Sequence, residues 1–290
     1  MFKKYRNIVA ALILAALMTG ITGGCSRNQQ ETGNTKSLTI KGSDTMVHLV
    51  TAWAEAYMKV HPNAEISVTG GGSGTGIAAL LNGTTDLCAA SRKIKPKEVE
   101  LAESKSIFPK EFVVGRDGIA VVVNPDNSIN DLSMEQLKKI FTGAYTNWSQ
   151  VKGEKEKIVV LSRESNSGTY VFFQKTVLKK EDYTAEALLM PASSSIIQSV
   201  SVDKTSIGYI GLGYALDAGE KVKIVNIIND NSTDPVSPTM ETVKNGSYPI
   251  ARPLHLYTDG KPSVIAQTFI EFCNSAEGQK IVVETGYIPL

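Results

Sequence analysis

The chain has 290 residues, 42% apolar and 20% charged, a balance that excludes general disorder and a bundle of membrane spans. Thirty Lys and Arg against 29 Asp and Glu give a formal charge of +1. With no basic block in the sequence, this excludes a nucleic-acid binder, whose affinity comes from clustered Lys and Arg. Residues 1–24 read as a secretory signal peptide: Lys3, Lys4 and Arg6 precede an apolar run over residues 8–18, and Thr22, Gly23 and Gly24 lead to Cys25. The run is too short and wrongly flanked for a permanent span. Residues 25–37 are polar and aperiodic, as a flexible tether would be.

From Leu38 onward, strand-like runs alternate with helical periodicity, which predicts an α/β fold. A strand over 38–41 is followed by Met46, Leu49, Val50, Trp53, Ala54 and Tyr57 at amphipathic-helix spacing, with Pro62 as the stop. A strand over 65–69, a glycine-rich loop over 70–76, a short helix over 77–81 and a strand over 86–91 come next. Residues 112–123 form a long extended run containing Gly115 and Gly118. Ser133, with Gln136 three residues on, is a capping-box start for a helix over 134–141. A strand over 158–162, a loop over 163–167 and a helix over 168–178 follow. Residues 250–257 are again extended, and 263–274 again helical. The two long extended runs divide the body: residues 38–117 with 251–290 as lobe I, and residues 118–250 as lobe II. Cys88 and Cys273 sit in apolar surroundings as small hydrophobes, and export also permits a bond between them.

One device recurs three times: a strand, a loop of small residues, then a helix. The loops hold Ser43, Asp44 and Thr45; Ser73 and Gly74; and Arg163, Ser167, Gly168 and Thr169. A helix N-terminus offers unpaired N–H groups and partial positive charge to an anion. Glycine lets backbone come close, hydroxyls add donors, and an arginine fork can grip two oxygens. In an open α/β sheet such loops gather at the carboxyl ends of strands, where ligands bind. Asp44 has a second role open to it, as the N-cap of the first helix. Catalytic patterns are missing: Gly70–Gly76 has no following Lys-Ser or Lys-Thr, Ser73 lacks the nucleophile-elbow spacing, and His48, His61 and His255 are scattered. No cofactor or metal is expected.

These motifs resemble the phosphate-specific substrate-binding proteins of bacterial ABC transporters, in the type II periplasmic-binding-protein superfamily. The resemblance rests on Arg163-Glu-Ser-Asn-Ser-Gly-Thr169, Gly42-Ser-Asp-Thr-Met46 and Gly72-Ser-Gly-Thr-Gly76. Weaker landmarks are Phe141–Trp148, Ile207-Gly-Tyr209, Tyr248–Pro253 and Gly286–Leu290. It implies a two-lobed fold with two crossings and no enzymatic activity. It also implies inorganic phosphate in an inter-lobe cleft, delivery to permease subunits, and a lipid anchor on Cys25 that holds the exported protein at the cell membrane. Thr45, Ser73, Arg163, Ser167, Gly168 and Thr169 would hold the oxyanion. Many members carry an aspartate that accepts the phosphate proton where this chain has Ser91, followed by Arg92, so the acceptor is open between Ser91 and Asp44. Readings from other classes are a binder of another oxyanion such as sulfate, a phosphate-ester hydrolase, and a sensor or adhesin lobe on the same fold.

Overall fold

The computed structural model describes residues 36–290, so the expected signal peptide and Cys25 lie outside the described residues. The chain first lays down β1 (Lys36–Gly42), a 3₁₀ turn (Asp44–Met46), α1 (Val47–Val60), β2 (Ala64–Thr69), α2 (Ser73–Leu81), β3 (Leu87–Ala90) and α3 (Pro96–Ser104). The 15-residue strand β4 (Pro109–Val123) then leads into β5 (Asp131–Ser133), α4 (Met134–Phe141), β6 (Val159–Arg163), α5 (Gly168–Thr176), β7 (Leu188–Met190) and α6 (Ser193–Val202). After these come β8 (Ser206–Gly211), α7 (Leu212–Ala218), β9 (Lys223–Ile228), β10 (Pro235–Val236) and α8 (Met240–Lys244). Strand β11 (Ala251–Asp259) returns the chain to where it began, and α9 (Val264–Asn274) and α10 (Ala276–Glu284) complete it.

Strand β4 belongs to two sheets. Over Pro109–Gly118 it pairs antiparallel with β11, with a register shift that skips Val114, and this continues the order β2-β1-β3-β11-β4, with β1 parallel to β2 and β3. Its last five residues, Ile119–Val123, pair with β8 on one side, and Val121–Val123 pair with β9 on the other. Beyond β8 lie β6 and β7, both parallel. The cores divide in the same way. Val114 and Leu254 pack with Leu38, Trp53 and Phe269, while Ile119 and Ile250 pack with Phe141, Trp148 and Phe173. The result is a two-lobed α/β body joined by β4 and β11. The C-terminus ties the junction a third time: Arg116 and Ile288 exchange both backbone hydrogen bonds, at 2.8 and 3.0 Å.

The periodicities carry over to burial. Met46, Leu49, Val50, Trp53, Ala54 and Tyr57 are all buried, and the Trp53 Nε1–H donates to the Gly278 carbonyl at 2.8 Å. The capping box at Ser133 and Gln136 forms, with bonds of 3.1 and 2.8 Å. One boundary differs from expectation: α2 begins at Ser73, not at residue 77. Small residues there serve packing, since a Cβ on Gly76 would lie 2.5 Å from the Gly42 Cα. What reads as loop composition is therefore the first turn of a helix pressed against a neighbouring strand. Cys88 and Cys273 are both free and buried in different clusters. Burial pushes the Cys88 thiol up to about 12, as suits a small hydrophobe.

His255 is fully buried on β11, facing Glu111, with Lys93, Arg252 and Tyr257 also near it. Burial holds its imidazole below the ordinary value of 6.5, against the pull of Glu111, so the folded state binds this proton more weakly than the unfolded chain. Stability from this group is therefore present above pH 6.5 and is lost as pH falls below it, with a slope of at most about 1.4 kcal/mol per pH unit. Urea unfolding of His255→Gln should flatten the pH dependence between 6.5 and 5. An unchanged slope would assign it to other groups.

Candidate functional site

The loops that follow β1, β2, β3 and β6 converge between the lobes. From lobe I come Ser43, Ser73 and Ser91, all buried, whose hydroxyls form one cluster. Ser43 Oγ donates to Ser91 Oγ at 2.9 Å, Ser73 Oγ lies 3.3 Å from Ser91 Oγ, and the Ser91 N–H donates to Ser73 Oγ at 3.0 Å. From lobe II, Gly168 opens α5 directly against this cluster. A Cβ on Gly168 would lie 2.3 Å from Ser73 Oγ and 2.6 Å from Ser91 Oγ. Each hydroxyl can both donate and accept, so the cluster can meet oxygens and a proton on one small ligand, while the start of α5 supplies partial positive charge.

Ser167 caps α5, its Oγ accepting from the N–H groups of Thr169 and Tyr170 at 3.2 and 3.4 Å. Its hydroxyl proton stays available for donation. Thr169 Oγ1 reaches across to Thr45 Oγ1 of lobe I at 2.8 Å. The Gly74 amide does not face the serine cluster as expected: it donates across the lobes to the Asn166 carbonyl at 2.8 Å, and Asn166 Nδ2 returns a bond to the Gly71 carbonyl at 3.0 Å.

Arg163 is bonded by protein acceptors. Its Nε donates to the Met190 carbonyl at 3.2 Å and its Nη2 to the Pro191 carbonyl at 2.8 Å. Its Nη1 meets Ser193 Oγ and Asp44 Oδ2, both at 3.0 Å. Asp44 Oδ2 in turn accepts from the N–H and Oγ of Ser193, each at 2.9 Å. Asp44 is thus no N-cap. Ser43 stands at the cap position without a side-chain cap bond, and the Asp44 carboxylate joins lobe I to the start of α6 in lobe II. Tyr209 backs this arrangement, with its OH 2.8 Å from Ser162 Oγ and accepting from the Arg163 N–H at 3.3 Å. Arg92, beside Ser91, is held by Glu98 at 2.7 and 2.8 Å.

A second buried ion pair lies behind the threonines. Arg252 and Asp117 are register partners on β11 and β4, with Arg252 Nη2 2.9 Å and Nε 3.2 Å from Asp117 Oδ2. Arg252 Nη2 also donates to Thr169 Oγ1 at 3.0 Å and to Thr45 Oγ1 at 3.5 Å. Burial pushes the Asp117 carboxyl above its ordinary range, with Arg252 and the Leu212 N–H pulling the other way. Among the described residues no cluster of His, Cys, Asp and Glu could hold a metal ion, and no helix is long and apolar enough to cross a membrane.

A family model described as the PBP superfamily domain matches residues 28–277. The phosphate-binding protein PstS of Staphylococcus haemolyticus is 36% identical, over 99% of this chain and 92% of that protein. PstS of Bacillus subtilis is 33% identical, over 98% and 92%. This chain belongs to the PstS family. Among solved structures, one from Clostridium perfringens, described as a phosphate ABC transporter substrate-binding protein with bound phosphate, superposes with a TM-score of 0.80 at 32% identity. That match covers 88% of this chain and 100% of the other.

Of the residues singled out in the sequence, Ser43, Ser73, Ser91, Thr45, Ser167, Gly168 and Thr169 come together, while the Gly74 amide bonds to the Asn166 carbonyl and Arg163 is bonded by protein acceptors. Three participants were not expected: Asp117, Ser193 and Arg252. The first and last were visible as charged residues inside long apolar runs, yet only strand register pairs them. Ser193 stands in a run of three serines, which carries no distinguishing signal.

Proposed function

We propose that this protein binds inorganic phosphate between its two lobes, outside the cytoplasm, and delivers it to the permease of an ABC importer. The observation that carries this reading is the cluster of Ser43, Ser73 and Ser91 facing the Gly168 start of α5 from the opposite lobe. Relatives named phosphate-binding protein and a neighbour solved with bound phosphate support the ligand. The family is one of binding proteins and not of enzymes. Ser167, Thr45 and Thr169 complete the set of hydroxyl donors. In this reading a serine hydroxyl of the cluster accepts the phosphate proton, while Asp44 Oδ2 holds Arg163 and Ser193. The signal peptide over residues 1–24 exports the chain, and lipidated Cys25 with the tether to residue 37 holds it at the membrane.

Calorimetry with phosphate, sulfate, molybdate and a phosphate monoester tests the ligand directly. Saturable binding of phosphate in preference to the other three is expected, and equal or tighter sulfate binding would overturn the assignment. Lobe I (residues 38–117 with 251–290) and lobe II (residues 118–250) would open and close about Gly118 and Ile250, which burial of a ligand between two lobes requires. Small-angle scattering should therefore give a smaller radius of gyration with phosphate than without. Superimposable curves at saturation would refute hinge closure.

A further inference from the structure

We infer that Asn166 is the latch of the closed cleft: without meeting the anion, it caps a helix of the opposite lobe and so sets how long phosphate stays bound; this rests on the phosphate reading above. Helix α2 of lobe I begins at Ser73, and its cap position is held by Gly72, which has no side chain to accept from the N–H groups of the first turn. The acceptor comes from lobe II. The Asn166 carbonyl, in the β6–α5 loop, takes the Gly74 N–H at 2.8 Å, and the Asn166 side chain reaches back over the same turn. Its Nδ2 donates to the Gly71 carbonyl at 3.0 Å and to Thr75 Oγ1 at 3.4 Å, while Thr75 Oγ1 itself donates to the Gly71 carbonyl at 2.8 Å. One residue of lobe II therefore holds both ends of the turn that opens α2.

Two features tie these bonds to closure and not to anion contact. Asn166 is exposed, whereas Ser167, Gly168 and Thr169 beside it are buried, so it stands at the rim of the cleft while they stand inside. Among the described residues its hydrogen bonds all go to lobe I, so none of them holds lobe II itself. The turn it meets is also shaped to receive it. A Cβ on Gly72, whose φ is +105°, would lie 2.8 Å from the Asn166 carbonyl oxygen, and a Cβ on Gly74 would lie 3.0 Å from the same atom. Phosphate enters an open cleft in which water serves these groups, and it can leave only after the bonds across the rim have broken. Removing them should therefore change departure and leave arrival alone. Because each bond replaces one to water, the effect of each is modest.

Release of radiolabelled inorganic phosphate, chased with unlabelled phosphate, tests this alongside calorimetry, since the two together also give the association rate. Asn166→Ala removes the side-chain bonds and should release phosphate about fivefold faster, with affinity weaker by the same factor and association unchanged. Its unliganded thermal melting should match the parent, because no hydrogen bond within lobe II is lost. Gly74→Val acts on the backbone bond: it sets a side chain against the Asn166 carbonyl at a helix position that lobe I alone leaves open. This variant should lose at least about tenfold in phosphate affinity while melting near the parent when unliganded. Parent-like release in Asn166→Ala, or a loss of affinity there that comes from slower association, would overturn the latch. So would a lower unliganded melting temperature in Asn166→Ala, which would make it a residue that holds its own lobe, or parent-like affinity in Gly74→Val. A parent that takes up no phosphate would overturn the phosphate reading itself.

Discussion

Gly168→Val is expected to weaken phosphate binding by at least about 30-fold, which corresponds to the roughly 2 kcal/mol that overpacking typically costs. The steric case needs only the first added atom. A Cβ at this position would lie 2.3 Å from Ser73 Oγ and 2.6 Å from Ser91 Oγ, well inside van der Waals contact, and valine adds two methyls beyond it. The clash is between residues of opposite lobes, so it acts on the closed form in which the ligand is held. Within lobe II, Gly168 is the first residue of α5, a position that tolerates other residue types. Circular dichroism and unliganded thermal melting should therefore stay near those of the parent, while calorimetry with phosphate loses its signal. Parent-like affinity in this variant would mean that the serine cluster and the start of α5 do not close on the anion.

Arg163→Ala is expected to lower stability by about 3 kcal/mol or more, the range for breaking a buried ion pair from one side. Arg163 is almost wholly buried, so its loss leaves the Pro191 carbonyl without its donor, the Met190 carbonyl with only the Glu164 N–H, and the Asp44 carboxylate without its cation. Asp44 keeps only the N–H and hydroxyl of Ser193, and the contact between the lobes weakens with it. Phosphate affinity should fall too, through the weaker closure. Arg163→Lys, with a single compact ammonium in place of the planar fork, should recover only part of the loss, because it cannot serve four acceptors in that plane. Urea unfolding measures this directly. A change below about 1 kcal/mol, as expected for a surface charge, would refute the structural role.

The elements were legible wherever one physical signal acted alone. The apolar stripe from Met46 to Tyr57, the box at Ser133 and Gln136, and the stop at Pro62 all depend on neighbours in sequence, and all form where that spacing places them. The start of α2 was misread because Ser73-Gly74-Thr75-Gly76 has loop composition for a reason that is tertiary: Gly76 packs on Gly42. The same distinction runs through the site. The serines, threonines and Gly168 could be found because they stand at strand ends before helices. The partner of Asp44 could not, because the capping habit of aspartate and a contact with Arg163 and Ser193 far along the chain look alike in sequence. The partners of Arg163 could not be read either, since they include the backbone carbonyls of Met190 and Pro191, which have no side-chain signature.

The place of β11 in lobe I bears on the order in which the chain can assemble as it emerges, N-terminus first. Lobe II is nearly one continuous stretch, and only Ile288 of its buried core residues comes from beyond Ile250. Lobe I is not, because β11 lies between β3 and β4 and is among the last strands to appear. Until then β3 has an open edge, and the apolar residues of β1 and α1 wait for Leu254, Leu256 and Phe269 to cover them. Pairings such as Leu256 with Ala89 join distant parts of the chain and are the slow kind to form. Most of the second lobe's core is thus available early, while the sheet of the first is completed only when the final strand enters between β3 and β4.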